Sequence, residues 1–331
     1  MADSLKPRDN RSFPVVSARA DSPRVHSFVP RPSPILVAAS PAASGRAFST
    51  AAIPVPRGRV ERTVLGPPGR WPGLGLGELW RLRAIAFVLA RRSLMVRYRQ
   101  TLIGVAWVLL QPLTLTLVFT VFFGVVMNRS AGAIPYPVFV LSGLVVWIMV
   151  SRVLSQGSES ITANAGLLSK IYFPRAYFPI SIAIGSLVDF AFGVVALLGL
   201  VAVSGAVPSI GLLAVPLATG LALAAVMGVT FWLSALNAQY RDVAQLMPFL
   251  TQVWFFSTPI FYAVDIVPPV WRPIFWLNPV AVAVNAFRWG FAGGEAPPLE
   301  AWLIGGTVAT MLLISGYVFF RLREPLLSDV V

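Results

Sequence analysis

Apolar residues run in long blocks along this chain, with the polar residues gathered between them. Six blocks are long enough, or nearly so, to cross a hydrocarbon core, which takes about 20 helical residues. They cover 103–127, 138–154, 179–203, 210–236, 246–263 and 301–320. Backbone N–H and C=O groups inside a bilayer must be satisfied within their own segment, so each block is expected to be a helix. Pro112, Pro216 and Pro248 fall within or near these blocks, where a kink is tolerated.

Before the first block, 76–100 mixes Leu79, Trp80, Leu82, Ile85, Val88, Leu89 and Met95 with arginines. At 100° per residue Arg81, Arg92 and Arg99 fall within about 20° of one another. Arg83 and Arg97 point elsewhere, so the amphipathic pattern is imperfect. The pattern predicts an interfacial amphipathic helix over 76–102, with Arg81, Arg92, Arg97 and Arg99 near lipid phosphates. A basic juxtamembrane stop is the plainer alternative. Residues 1–75 are rich in Pro, Ser, Ala and Arg without an apolar period, and read as a disordered tail. They hold no apolar core of roughly 7–15 residues, so a secretory signal is not expected.

Arg and Lys in the connectors set the expected orientation. Arg91, Arg92, Arg97 and Arg99 precede the first block. Lys170 and Arg175 follow the second, with Arg152 at its edge, Arg241 follows the fourth, and Arg321 and Arg323 end the sixth. Connectors on the other side carry Arg129 alone or no cation. The exception is the fifth-to-sixth connector, which has Arg272 and Arg288. The fold class expected is an all-α polytopic membrane protein. It has six transmembrane helices over 103–323, both termini inside, and a cytoplasmic tail over 324–331.

Three connectors are not ordinary loops. The first, 155–178, holds a short helix pattern from Glu159 to Lys170, with Ser158 as N-cap. An aromatic, proline-punctuated run follows, and together they fit a docking surface for a cytoplasmic partner. The second is the polar turn 237–243, with Arg241 and Asp242. The third, 264–300, is rich in proline and aromatics. Its apolar stretch 280–291 is too short to span, which predicts re-entrant or interfacial helices at the outer face. The aromatics there fit headgroup anchors, or stacking platforms for a translocating substrate.

Composition agrees with the membrane class: 12% of the 331 residues are charged, against about 25% in soluble domains. The net charge of +13 is uneven. Residues 1–102 hold 17 of the 26 Lys and Arg but 5 of the 13 Asp and Glu. An excess confined to a tail and a pre-membrane helix is not the basic stripe of a nucleic-acid-binding module, and no nucleic-acid partner is expected.

Candidate chemistry is sparse. The sequence has no Cys, its one histidine is His26 in the tail, and its lysines are Lys6 and Lys170. Metal sites and His-based triads have no residues to build them. No G-x-x-x-x-G-K-[ST] is present, so the chain lacks a P-loop of its own. Asp189 lies about ten residues into the third block, a depth at which an acid is a functional candidate. With no second acid, Lys or His at depth, its expected role is a packing hydrogen bond to Ser, Asn or Trp on a neighbouring helix. A proton-coupled transporter using Asp189 is the competing class. A membrane glycosyltransferase ranks last, because Asp242 and Asp265 are expected on opposite sides.

Several segments in order resemble one family. These are Arg97-Tyr-Arg-Gln-Thr-Leu-Ile-Gly-Val-Ala-Trp107, Gln111-Pro-Leu113, Phe119–Gly124, Lys170-Ile-Tyr-Phe-Pro-Arg175, Tyr240-Arg-Asp-Val243, Asn278-Pro-Val280 and Phe287-Arg-Trp289. Over roughly 91–323 the chain is similar to the membrane subunits of polysaccharide-exporting ABC transporters, which move O-antigen, capsule or teichoic acid chains. Leu187-Val-Asp-Phe190 also looks like a family feature. The resemblance implies a homodimeric permease in the bacterial cytoplasmic membrane, paired with two copies of a separate ATPase subunit. ATP and Mg would sit on that partner, with no cofactor in this chain, and a lipid-linked glycan would be the substrate. It further implies that Glu159, Leu167, Leu168 and Lys170 form a coupling helix, with Arg241 and Asp242 nearby. Trp254, Phe255, Phe261 and Tyr262 of the fifth block, and Trp147 of the second, would line a channel. A permease exporting a drug or small lipid shares this architecture.

Overall fold

The computed structural model describes residues 75–99, 106–127, 134–168, 174–240, 242–264 and 267–326, and within them every regular element is a helix. The Pro/Arg-rich segment over 1–74, Lys170, Arg241 and Asp265 lie outside the described residues. Helices α1 (Leu76–Arg81) and α2 (Arg83–Arg99) precede the first apolar block. Then come α3 (Ala106–Phe119), which continues as a π-helix over Thr120–Val126, α4 (Tyr136–Ala163), α5 (Ala165–Leu168) and α6 (Tyr177–Ser204). The chain ends with α7 (Val215–Gln239), α8 (Asp242–Ser257), α9 (Arg272–Trp276), α10 (Pro279–Ala292) and α11 (Leu299–Arg323).

Among the described residues five helices are long and apolar enough to cross a membrane. They are α3 with its π-helical end, α4, α6, α7 with a 3-10 lead-in from Ile210, and α11. The block at 246–263 departs from the simple expectation. α8 has 16 residues and stops at Ser257, although the apolar run continues. Pro259 causes the stop: it lacks an N–H and disfavours helical backbone at Thr258.

α4 is the centre of the assembly. Of its apolar stretch 78% is buried, against 11–39% for the other four spans. Helices α3, α6, α7, α8 and α10 pack around it. It is also longer than its apolar block. The Ser-rich segment expected to leave the membrane continues α4 to Ala163, so Ser158 is a buried mid-helix residue and not an N-cap. The serines hide their polarity by bonding back one turn: Ser155 donates to the Ser151 carbonyl, Ser158 to Leu154 and Ser160 to Gly157. Asn237 Nδ2 of α7 donates to the Ser158 carbonyl at 3.1 Å, making this stretch a helix–helix interface.

α7 and α11 meet through glycine. A Cβ on Gly228 would strike the backbone of Leu312, and one on Gly316 would strike the Gly228 carbonyl. Gly228→Val is therefore expected to prise the pair apart, at a cost of about 1–3 kcal/mol or more. The expected readout is a lower melting temperature in detergent and loss of the symmetric gel-filtration peak. A wild-type melting temperature would contradict the crossing.

α2 packs against the protein. Ala86 is buried with Tyr177 and Phe178 of α6, joined by Leu82, Ile85, Leu89, Ile180 and Ile184, and Tyr177 donates to the Leu79 carbonyl at 2.7 Å. Trp80, Phe87, Val88, Met95 and Val96 remain exposed. The imperfect amphipathic pattern thus has two apolar faces, one against α6 and one outward. At the same end of the bundle, Glu324 accepts from the Arg175 backbone N–H and from Arg321, while Arg323 donates to Gln239 Oε1 at 2.8 Å. Glu324, placed in the tail by the sequence pattern, is part of the folded body.

Candidate functional site

Two clusters gather the residues singled out in the sequence. The first is an aromatic ladder. Trp147 of α4 meets Trp254 at 6.4 Å and Phe255 at 5.5 Å between ring centroids, both from α8. Phe261, just past the end of α8, contacts Phe255 at 5.9 Å and Tyr262 at 5.2 Å. All five expected channel residues therefore converge. Two residues of the family-like segment Phe119–Gly124, not expected among the channel residues, join them: Phe119 stacks on Phe261 at 5.5 Å and 5°, and Phe123 lies 5.4 Å from it. Their spacing of four residues on one helical face was the available signal. Offset and edge-on pairs of this kind stabilise one another beyond area burial. Phe261, Tyr262, Trp254 and Phe255 are half-buried, so ring surface remains open.

The ladder is held from beneath by two polar side chains. Asn278 Oδ1 accepts from Trp254 Nε1 at 3.0 Å, and its Nδ2 donates to Thr258 Oγ1 at 3.0 Å. The same oxygen caps α10 by accepting from the Val280 N–H. Arg288, expected in a connector, is 4% exposed inside α10. Its Nη2 donates to the carbonyls of Pro259 at 2.5 Å and Ile260 at 2.8 Å, and its guanidinium lies 3.5 Å from the Phe139 ring centroid. A buried cation paired with carbonyls is costly and fixes what it touches. Here it fixes the turn that presents Phe261 and Tyr262.

The second cluster surrounds Asp189 of α6, which is buried. Asp189 has charged partners, contrary to the expectation of a neutral packing bond. Arg97 Nη1 of α2 is 2.5 Å from Oδ2, Arg152 of α4 pairs with the same oxygen, and Tyr98 donates to Oδ1. Arg97 also donates to Gln156 Oε1 at 2.8 Å. Arg97, grouped in sequence with the headgroup arginines, thus turns inward, while Arg81, Arg92 and Arg99 are exposed. An acid whose two oxygens are engaged by three side chains from two other helices is built as a tie between α2, α4 and α6.

The residues implied in coupling are divided. Glu159 and Asp242 are exposed, and Asp242 opens α8, where an acid suits the helix dipole. Leu167 is half-buried against the α2–α6 cluster. Leu168 ends α5, and Lys170 and Arg241 lie outside the described residues. No group of three or more His, Cys, Asp or Glu that could hold a metal occurs among the described residues.

The sequence model for the ABC-2 type transporter matches residues 86–292, more than half of the chain. The chain belongs to the ABC-2 type transporter family. The matched range takes in both the Asp189 cluster and the aromatic ladder. Among relatives of this ABC-2 type chain, the O-antigen export system permease protein RfbA of Myxococcus xanthus is 27% identical over 256 residues, 77% of this chain and 98% of that protein. A Klebsiella pneumoniae protein of the same name is 28% identical over 209 residues, 62% of this chain and 80% of its own. The polysialic acid transport protein KpsM of Escherichia coli is 25% identical over 240 residues, 70% and 91% of the two chains.

Proposed function

We propose that this ABC-2 type chain is the permease subunit of an ATP-driven exporter that moves a lipid-linked polysaccharide across the bacterial cytoplasmic membrane. The observation that carries the reading is the similarity to an O-antigen export permease over 98% of that protein's length. The ladder supports it, because half-open aromatic faces suit the apolar faces of sugar rings.

In this reading α8 and the residues after Pro259 together make a sixth crossing, and α9 and α10 re-enter from the outer face. The end bearing α1, α2, Arg321 and Arg323 is cytoplasmic, in keeping with its cations. A second copy of the chain covers the exposed apolar residues of α3 and α8, among them Leu113, Leu117, Phe249 and Val253. Two copies of a separate ATPase subunit carry ATP and Mg. Their stroke is received around Glu159, Leu167, Leu168 and Lys170, and beside Arg241 and Asp242.

The test is reconstitution with the cognate ATPase. The chain alone is expected to hydrolyse no ATP, and the complex to be stimulated by a lipid-linked glycan. Phe261→Ala removes the ring at the centre of the ladder. It is expected to cut glycan export severalfold while basal hydrolysis by the complex stays near wild type. Hydrolysis by the pure chain, or stimulation by small amphiphiles and not by the glycolipid, would overturn the reading.

A further inference from the structure

We infer that Arg97 and Arg152 form a binding site for a phosphate group carried by a membrane amphiphile at the inner-leaflet surface. The assignment of the leaflet rests on the orientation proposed above.

Charge is the first argument. Two guanidiniums face one carboxylate, and the other groups at the cluster, Tyr98, Gln156 and Ser186, are neutral. Among the described residues no second acid contacts it, so the cluster carries one uncompensated positive charge in a poorly solvated place. Arg152 pairs with the Asp189 carboxylate through Nη1, and that buried nitrogen has no hydrogen bond to any other acceptor. Its remaining N–H groups form part of a planar fork that matches a phosphate.

Depth is the second argument. Arg152 lies 16 residues after Tyr136, and Asp189 lies 15 residues before Ser204. At 1.5 Å per residue these are about 24 and 22 Å from the outer ends of α4 and α6. A hydrocarbon core of about 30 Å puts the cluster close to the inner headgroups and away from the bilayer centre. Trp107, exposed in the first turn of α3 next to Val108, which shares a recess with Arg152, fits that level.

The surroundings are the third. Between α3, α4 and α6, Val108, Pro112, Val145 and Met149 share a recess the size of a water with Arg152 and Asp189. The recess is too small for a phosphate, so the phosphate head is placed on the open side of the partly exposed Arg97 and Arg152, with the apolar side chains beside it. Both an ordinary phospholipid and the lipid anchor of the cargo offer that chemistry.

The full chain in nanodiscs of an uncharged galactolipid is titrated with a long-chain polyprenyl phosphate and, separately, with the matching polyprenol. The phosphate is expected to bind about tenfold tighter or more. Arg152→Gln leaves the Arg97–Asp189 pair intact and is expected to erase that difference. Arg97→Gln, at a more exposed position, is expected to do the same, and decides the matter if the first variant fails to assemble. Competition by equimolar phosphatidylglycerol assigns the site to bilayer phospholipid, and resistance to a large excess assigns it to the cargo's anchor. Equal affinity for phosphate and alcohol, or wild-type affinity in the assembled variants, overturns the inference. Export is not read in this experiment, so such a result leaves the permease assignment standing.

Discussion

Asp189→Leu is expected to destabilise the protein by about 3–5 kcal/mol, the usual cost of removing one partner from a buried ion pair. Total stability is commonly about 5–15 kcal/mol, so this single change takes a large share of it. Arg152 suffers most, because its side chain is 16% exposed against 28% for Arg97. Loss of the tie frees the end of α2 from α4 and α6, and the expected readout is a sharply lower melting temperature in detergent. Asp189→Leu combined with Arg152→Met is expected to recover part of the loss, since apolar replacement of both partners is tolerated better than an orphaned charge. An unchanged melting temperature in the single variant would show that the tie is not structural.

The second large effect is expected at Arg288. Arg288→Met keeps much of the side-chain volume but strips donors from the carbonyls of Pro259 and Ile260. Each buried acceptor left without a donor costs about 1–3 kcal/mol. The damage is local: hydrogen exchange is expected to rise over 259–264 while the centre of α4 stays protected. Export should fall with it, because Phe261 and Tyr262 lose the turn that aims them. Arg288→Lys keeps the charge but not the fork and is expected to recover only part. Unaltered exchange over 259–264 would remove Arg288 from the support of the ladder.

Long apolar runs made α3, α4, α6, α7 and α11 legible in the sequence, because a helix in lipid needs little beyond length and hydropathy. The aromatic residues in and just after α8 were legible for a related reason: Trp254, Phe255, Phe261 and Tyr262 lie close along the chain and meet in space. The charged tie was not. Arg97 is 92 residues from Asp189, and an arginine paired with an acid on another helix looks, in sequence, like one that meets headgroups alone. By the same rule Arg152 and Arg288 look like connector cations, yet α4 continues past Arg152 and α10 buries Arg288. The polar end of α4 misled because its serines satisfy themselves on the helix backbone. The end of α8 misled because hydropathy continues through Pro259 while the helix does not.

The most direct measurement depletes this protein in its native cell and follows lipid-linked glycans on both sides of the membrane. Export by this permease requires one glycan to accumulate inside while the corresponding surface polysaccharide disappears, and that is the expected result. An unchanged surface with no internal accumulation, in a strain without a second exporter, would contradict polysaccharide export.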